Sequence, residues 1–181
     1  MSWMSSRSHP LPVEEYCGCL SLVRELSLME TPFGLRLTQR PVLPAMRPVQ
    51  VEAGDRLPAG AYAIEIEAQG AFEPQLKDAN GQAALTVGCS EQNSIYTERA
   101  VSPDLSPTGW YNDPNKRRTD VGRLRGGALK MLVVVDRWTV EIYADDGLYT
   151  HGLLVFAQGG LTALDWKGEA LVKSAALSTG G

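Results

Sequence analysis

The chain has 181 residues, a formal net charge of −4 and a pI near 5.2. This length suits one domain, and a chain of this size can bury roughly 70% of its unfolded surface without a metal or a disulfide. The acidic balance gives no broad basic field, which argues against nucleic acid and anionic membranes as partners.

No targeting or membrane-spanning segment is visible in the sequence. The N-terminus lacks the apolar core of a signal peptide, and no apolar run reaches the ~18 residues needed to cross a bilayer. Localisation is therefore open, with the cytoplasm expected if the chain is complete.

Cysteines and histidines form no recognisable metal-binding pattern. Cys17, Cys19 and Cys89 cannot all pair, and a Cys-x-Cys motif without a second pair lacks the ligands for structural zinc. His9 and His151 are isolated in the sequence. We expect free thiols, no metal site and no cofactor.

Residues 1–19 are predicted to be a linker, because the two prolines in HPLP restrict φ and favour extended backbone before them. Short runs with β-strand patterns follow, separated by turn residues such as the Asp78–Gly81 segment. These runs cover residues 20–29, 34–39, 50–52, 60–68, 73–77, 83–88 and 94–98.

The regular pattern stops between residues 99 and 127, where prolines and glycines predict a long loop. Loops of this length in compact domains are usually functional or mobile. A basic cluster lies in the same stretch, and we interpret it as a solvated loop in preference to a phosphate site. The cluster consists of Lys116, Arg117 and Arg118, with Arg123 and Arg125 nearby.

Residues 129–156 predict three antiparallel strands separated by two tight turns. The first run is apolar on both faces, as expected for a strand inside a sandwich. Residues 136–137 turn the chain, and Val140 and Ile142 then alternate with polar or aromatic neighbours. The Asp145–Gly147 turn tolerates positive φ and closes the second hairpin.

Two further runs, residues 161–167 and 170–176, are predicted to complete one sheet. Ten to twelve short strands with regular turns and no convincing helix predict an all-β fold. We expect an antiparallel two-sheet β-sandwich of the jelly-roll or concanavalin-like kind, spanning residues 20–177 with a long loop at about 99–127.

Two sequence blocks resemble a known family. VDRWTVEIYADDG, residues 135–147, is similar to the VDRSSVEVFxNDG signature of the C-terminal domain of glycoside hydrolase family 32, the invertases, levanases and inulinases. CLSLVRELSLMETPFGLRLTQRPV, residues 19–42, resembles the family segment in which SLPREL opens the sandwich and GLRLxQRPV follows as the next strand.

The resemblance implies a non-catalytic module. Family enzymes carry a nucleophilic Asp, a transition-state-stabilising Asp and a general-acid Glu in an N-terminal five-bladed propeller, for which this chain has no room. Residues 1–4, MSWM, look like the remnant of the last propeller strand. We therefore expect no catalytic residue here, and a glycosidase propeller as the partner if the chain is part of a longer enzyme.

Some positions depart from the family pattern. Val23 replaces a Pro, Cys17-Gly18-Cys19 replaces a Trp-Arg-Gly stretch that abuts the propeller, and Trp138-Thr139 replaces a Ser pair. These positions lie at turns or at the expected domain interface, which favours a relaxed requirement for docking a propeller.

The segment WYNDPN, residues 110–115, resembles the WMNDPNG phrase that carries the family's nucleophilic Asp. Its position argues against catalysis, because the family phrase lies on the first propeller strand. A retaining glycosidase also needs a second carboxyl about 5 to 5.5 Å away with a raised pKa, and none is identifiable. We interpret the segment as a turn, with a sugar contact as the alternative.

Sugar binding is the more credible activity, because aromatic faces stack on sugar rings while Asn, Asp and Arg satisfy hydroxyls. The candidate residues are Trp110, Tyr111, Asn112, Asp113 and Trp138. Trp138 and Trp166 have a competing interpretation as core residues. Arg137 and Glu141 follow the family signature and are predicted to form a structural pair.

Three functional hypotheses follow. The leading one is a non-catalytic β-sandwich module that resembles the C-terminal domain of β-fructosidases and supports a glycosidase propeller. The second is a free-standing binder of fructan or another glycan that uses the 99–127 loop. The third is a homo-oligomer formed through the surface that a propeller would otherwise cover.

Overall fold

The computed structural model describes residues 20–103 and 109–177. The predicted linker, the MSWM remnant, and Cys17 and Cys19 lie outside these residues. Thirteen strands are present in the described part: β1 Arg24–Thr31, β2 Gly34–Pro41, β3 Val49–Gln50, β4 Tyr62–Ala68, β5 Glu73–Lys77, β6 Ala83–Cys89, β7 Ser94–Arg99, β8 Arg118–Gly122, β9 Leu129–Asp136, β10 Thr139–Ala144, β11 Tyr149–Leu154, β12 Ala163–Lys167 and β13 Ala170–Ala176.

The strands form two large antiparallel sheets, which confirms the predicted sandwich. The first sheet has the order β11-β10-β9-β4-β13-β3, and the second has the order β12-β5-β6-β7-β8. The core lies between them, because each inward face is apolar and buried. Its largest fully buried side chains include Tyr62, Phe72, Ile64, Leu76, Leu85, Ile95, Leu129 and Ile142.

The centre of the first sheet follows directly from alternating sequence. Ile64 of β4 pairs with Val133 of β9, and Ile66 pairs with Met131. These four side chains belong to the core cluster. The opposite face of the same sheet carries a smaller buried cluster around Val134, which explains why β9 is apolar on both faces.

The predicted meander is confirmed. β9, β10 and β11 pair in sequence order, and the hairpin between β10 and β11 is a short 3₁₀ turn, Asp145–Gly147. Asp145, Asp146 and Gly147 all adopt positive φ, at 52°, 59° and 86°. Asp and Gly suit these left-handed conformations better than most residues do.

The prediction that the last two strands complete one sheet is wrong. β12 pairs with β5 in the five-stranded sheet, whereas β13 pairs with β4 and β3 in the six-stranded sheet. The chain crosses between the sheets at Gly168, which has a φ of 98°. A Cβ at this position would lie 2.5 Å from the Ala71 carbonyl oxygen, so only glycine fits the crossing.

The predicted long loop is also more structured than its sequence indicates. It contains the helix α1, Pro114–Arg117, and the edge strand β8, which pairs with β7. β8 is exposed at all five positions, so it has no apolar alternation that sequence reasoning could detect. Within the described residues, no helix is long and apolar enough to cross a membrane.

Candidate functional site

The β1–β2 hairpin forms a separate two-stranded sheet with an apolar face. Leu28 pairs with Leu37, and Leu26 and Leu35 lie on the same side of the hairpin because side chains alternate along each strand. These four side chains, which we name the leucine face, are 61%, 67%, 63% and 50% exposed for Leu26, Leu28, Leu35 and Leu37. Contiguous apolar surface of this kind usually marks an interaction site.

The other face of the hairpin is largely polar. Glu25 and Arg36 are exposed there, and the hydroxyls of Ser27 and Thr38 lie 2.6 Å apart in a hydrogen bond. The hairpin is therefore amphipathic, and in the described residues its apolar side has no covering element.

Glu141 attaches this hairpin to the six-stranded sheet. Its Oε2 accepts from Arg24 Nη2 at 2.8 Å and from the Tyr143 hydroxyl at 2.6 Å, and its Oε1 accepts from Leu22 N at 2.7 Å. Arg24 also donates to Gln39 Oε1 at 2.8 Å. The two sequence blocks that carry the family resemblance thus meet in one network.

The predicted pair between Arg137 and Glu141 is wrong. Arg137 occupies the β9–β10 turn with a φ of 54°, whereas Glu141 lies in the middle of β10 with Arg24 as its ionic partner. Both oxygens of the Glu141 carboxylate bind other groups, namely Arg24, the Tyr143 hydroxyl and the Leu22 N–H.

A close backbone contact fixes the position of the hairpin against the β10–β11 turn. A Cβ on Gly147 would overlap the carbonyl group of Gln39, so β2 can approach only because residue 147 is glycine. The turn itself is held by Arg123, whose Nε and Nη2 each donate to the Asp145 carboxylate at 2.8 Å. Both of these side chains are almost fully buried, at 3% and 4% exposure.

A row of four aromatic rings lies around the loop after β7. The ring centroids of Trp110 and Tyr111 are 5.6 Å apart, those of Tyr111 and Phe156 are 5.2 Å apart, and those of Phe156 and Trp138 are 5.7 Å apart. The Tyr111 hydroxyl accepts a hydrogen bond from Phe156 N at 3.0 Å. Aromatic packing therefore fastens this loop to the sandwich.

The five residues predicted to bind sugar differ in accessibility. Tyr111 and Asn112 are buried, at 2% and 4% exposure, and the Asn112 amide brackets Ser102 by accepting from its N at 2.8 Å and donating to its O at 2.9 Å. Trp110 and Trp138 are partly exposed, with Tyr111 and Phe156 between them. Sugar contact at these positions stays a prediction.

Asp113 has a local structural contact. Its Oδ1 accepts from Asn115 N at 3.0 Å and caps α1, which begins at Pro114. Asp before Pro is a common way to start a helix, because the carboxylate satisfies a free N–H and Pro lacks one. This geometry supports interpreting WYNDPN as a turn.

A cationic recess, which sequence reasoning did not find, opens beside Trp110. The Arg99 guanidinium lies 4.4 Å from the Tyr111 ring centroid and 5.3 Å from that of Trp110. Its Nη2 donates to Lys116 O at 3.0 Å. The recess has a volume of about 280 Å³ and is lined mainly by Thr97, Arg99, Trp110, Lys116, Arg117, Thr119 and His151.

The predicted basic cluster separates into paired and unpaired arginines. Arg118 forms ion pairs with Glu98 and Asp120, and Arg123 and Arg125 pair with the two aspartates of the β10–β11 turn. Arg117 has no carboxylate within ion-pair distance among the described residues, and it faces the recess. Cys89 is buried and forms no disulfide with a described residue, and its Sγ donates to Ser90 O at 3.7 Å.

This architecture places the chain among antiparallel β-sandwich domains. Residues 37–176 match the family model described as Glycosyl hydrolases family 32 C terminal. The match covers most of the chain, so this protein belongs to that family of C-terminal domains.

Relatives of the chain are longer enzymes. The levanase of Bacillus sp. (strain L7) is 25% identical over 179 residues, which cover 86% of this chain and 19% of the levanase. The exo-inulinase of Aspergillus awamori has a similar fold, with a TM-score of 0.70 at 17% identity over 96% of this chain and 38% of the inulinase.

The same fold occurs in beta-fructofuranosidase from Schwanniomyces occidentalis, with a TM-score of 0.65 at 16% identity over 91% of this chain and 41% of that enzyme. The chain thus spans less than half the length of each of these relatives. The family is one of domains that form part of larger glycosidases.

Proposed function

We propose that this chain is a non-catalytic module that packs against the catalytic propeller of a β-fructosidase through its leucine face. The observation that carries the proposal is the set of four leucine side chains, each at least half exposed, on one side of the β1–β2 hairpin. Family membership supports the class of partner, since this domain type accompanies a glycosidase.

The geometry of the hairpin suits a docking element. Burying a fully exposed leucine side chain contributes roughly 1.5–3 kcal/mol. These four side chains are 50–67% exposed, so covering them supplies about half to two thirds of that each before ordering costs. Glu141 and Gly147 already hold the hairpin in place, so its order does not have to be gained on binding. A pre-positioned apolar face loses less entropy on association than a mobile one does.

Expression in trans tests this proposal. The catalytic part of a family member, such as the levanase of Bacillus sp. (strain L7), is produced without its own C-terminal domain and co-expressed with this chain. We expect the chain to raise the yield of soluble, active propeller. The double variant Leu28→Ser/Leu35→Ser is expected to lose that effect.

A matched control introduces two serines on the other face of the hairpin. The double variant Glu25→Ser/Arg36→Ser leaves the net charge unchanged and is expected to behave like the unaltered chain. Equal rescue by the leucine-face variant and the control would contradict docking through this face. A stable dimer of the chain, dissociated by the leucine substitutions in sedimentation, would favour self-association instead.

A second candidate function is glycan binding near the aromatic row, favoured by the partial exposure of Trp110 and Trp138. Partly exposed indole rings offer stacking surfaces for sugars. Calorimetric titration with levan, inulin oligomers, sucrose and fructose tests it. We expect saturable binding that Trp110→Ala removes. Trp166→Ala, which changes a tryptophan on the edge strand β12, is the control and is expected to leave the binding unchanged.

A further inference from the structure

Among the described residues, the recess beside Trp110 carries more positive charge than negative charge. Arg99, Lys116 and Arg117 line it together with His151, and none of the described residues that line it is acidic. Lys116 has a carboxylate partner, since Asp113 Oδ2 lies 3.6 Å from Lys116 Nζ. Two arginines therefore share a small volume with no carboxylate of their own.

Arg117 is the least satisfied of these cations. Its Nη1 makes one long hydrogen bond, 3.5 Å to Arg99 O, and its Nε is buried with no partner in the described structure. A guanidinium offers five N–H donors, and leaving buried donors unpaired is unfavourable. Its neighbour Arg118 shows the usual solution, with two carboxylates in contact.

Arg99 adds a second, more deeply buried charge. The residue is 7% exposed, and among the described residues its guanidinium contacts the Trp110 and Tyr111 rings and the Leu154 and Lys116 carbonyl oxygens. Burial, together with the nearby Arg117, lowers the pKa of Arg99. Both effects disfavour the charged form of Arg99. An anion between the two arginines would therefore stabilise their charged guanidinium groups.

His151 contributes a directed donor on the β11 side of the recess. Its Nδ1 lies 3.2 Å from the Thr97 hydroxyl and 3.4 Å from the Tyr149 hydroxyl. When one of these hydroxyls donates to Nδ1, the neutral ring carries its hydrogen on Nε2. A neutral His151 then adds a hydrogen-bond donor to the lining of the recess without adding charge.

We propose that this recess binds a single oxyanion group, a phosphate, sulfate or carboxylate, through Arg117, Lys116 and His151, with Trp110 as the apolar wall for whatever carries the group. Planar guanidinium groups bind such oxygens bidentately, and charge-assisted bonds are stronger than neutral ones. The proposal is independent of docking to a propeller and of binding to neutral glycans.

Calorimetric titration of the full chain at low salt tests the site with three probes. Inorganic phosphate and fructose 6-phosphate are expected to bind saturably and competitively, and fructose serves as the neutral comparison. Arg117→Gln is expected to lower the affinity for both anions at least about tenfold, because it removes the charge and the bidentate donors. Arg125→Gln removes the same charge from a distant surface and is expected to leave the affinity within about twofold.

A second substitution keeps the test independent of Arg117. Thr119→Glu places a carboxylate at the exposed mouth of the recess, on β8. This variant is expected to lose anion binding while the midpoint of its urea unfolding stays unchanged. Absence of saturable anion binding up to about 10 mM would overturn the proposal. An equal loss of anion affinity in Arg117→Gln and Arg125→Gln would also overturn the proposal, because it would show an effect of net charge and not of this recess. Binding of fructose without phosphate binding would overturn this site and leave the glycan proposal standing.

Discussion

Glu141 shows how one side chain can connect distant parts of the chain. Its carboxylate is 10% exposed and accepts from Arg24, Tyr143 and the Leu22 backbone. The hydrogen bond to Glu141 contributes, after burial, to the raised pKa of the Tyr143 hydroxyl. Such a network stabilises only when every member is present.

Removing this carboxylate should therefore be costly. We expect Glu141→Ala to lower the free energy of unfolding by about 3 kcal/mol, because it leaves the Arg24 guanidinium half-buried without its ionic partner. Urea unfolding measures the change. Glu67→Ala, at an exposed position of β4, is the control and should change the stability little. An equal, small effect of both substitutions would contradict the network.

His151 predicts a specific pH dependence. Burial, with a further effect of Arg99, lowers the pKa of His151 below its ordinary value of 6.5. The unfolded chain therefore binds a proton in a window below pH 6.5 in which the folded chain does not, so stability is lost as the pH falls through that window. The expected consequence is a positive slope of stability against pH just below 6.5.

Urea unfolding from about pH 5 to pH 7.5 measures this slope. His151→Gln should make the curve flatter than that of the unaltered chain, since carboxylates such as Glu73 and Asp120 contribute equally to both. Identical slopes in the two proteins would show that His151 is not the titrating group.

At the scale of elements, the β1–β2 hairpin depends on a glycine in another hairpin. Gly147 combines a φ of 86° with a contact in which a Cβ would overlap Gln39. Gly147→Ala should therefore reduce amide protection throughout β1 and β2 while the core strands β4 and β9 keep theirs, as measured by hydrogen exchange.

Gly81→Ala is the matched control for this prediction. Gly81 has a φ of 78° but nothing within 4 Å of the added Cβ, so only the conformational cost of about 1 kcal/mol applies. Protection of β1 and β2 should be unchanged in this variant. Equal loss of protection in both variants would show that the close contact does not hold the hairpin.

Local sequence predicts those elements whose own alternation reports their environment. β4 and the β9–β11 meander were predictable because apolar residues recur with period two between clear turn signals. β8 was not, since all five of its residues are exposed and it is defined by pairing with β7. The sheet assignment of β12 and β13 depends on the crossing at Gly168, which the residue pattern does not contain.

The candidate site was predictable only in part, for the same reason. Aromatic and amide residues in a loop indicate binding, but composition does not show which of their side chains point into the protein. The side chains of Tyr111 and Asn112 are buried. Arg99 resembles an ordinary strand residue until β7 and α1 are placed together. Likewise, Arg24 and Glu141 are 117 residues apart, so only the fold shows their pairing.

At the scale of the whole molecule, the described residues form a two-sheet sandwich, and none of them covers the apolar side of the β1–β2 hairpin. The family to which the chain belongs is one of C-terminal domains in larger glycosidases. In the described structure the Asp113 carboxylate of WYNDPN caps α1, and the leucine face is the surface that we propose for docking. Our main proposal is that this chain supports catalysis by a partner propeller and performs none by itself.

Release of fructose from sucrose, inulin and levan by the purified chain tests that claim most directly, with and without a co-expressed family propeller. We expect no fructose release by the chain alone. We expect release by the mixture, and less release when the chain carries Leu28→Ser/Leu35→Ser. Turnover by the chain alone, abolished by Asp113→Asn and retained in Asp120→Asn, would contradict the proposal.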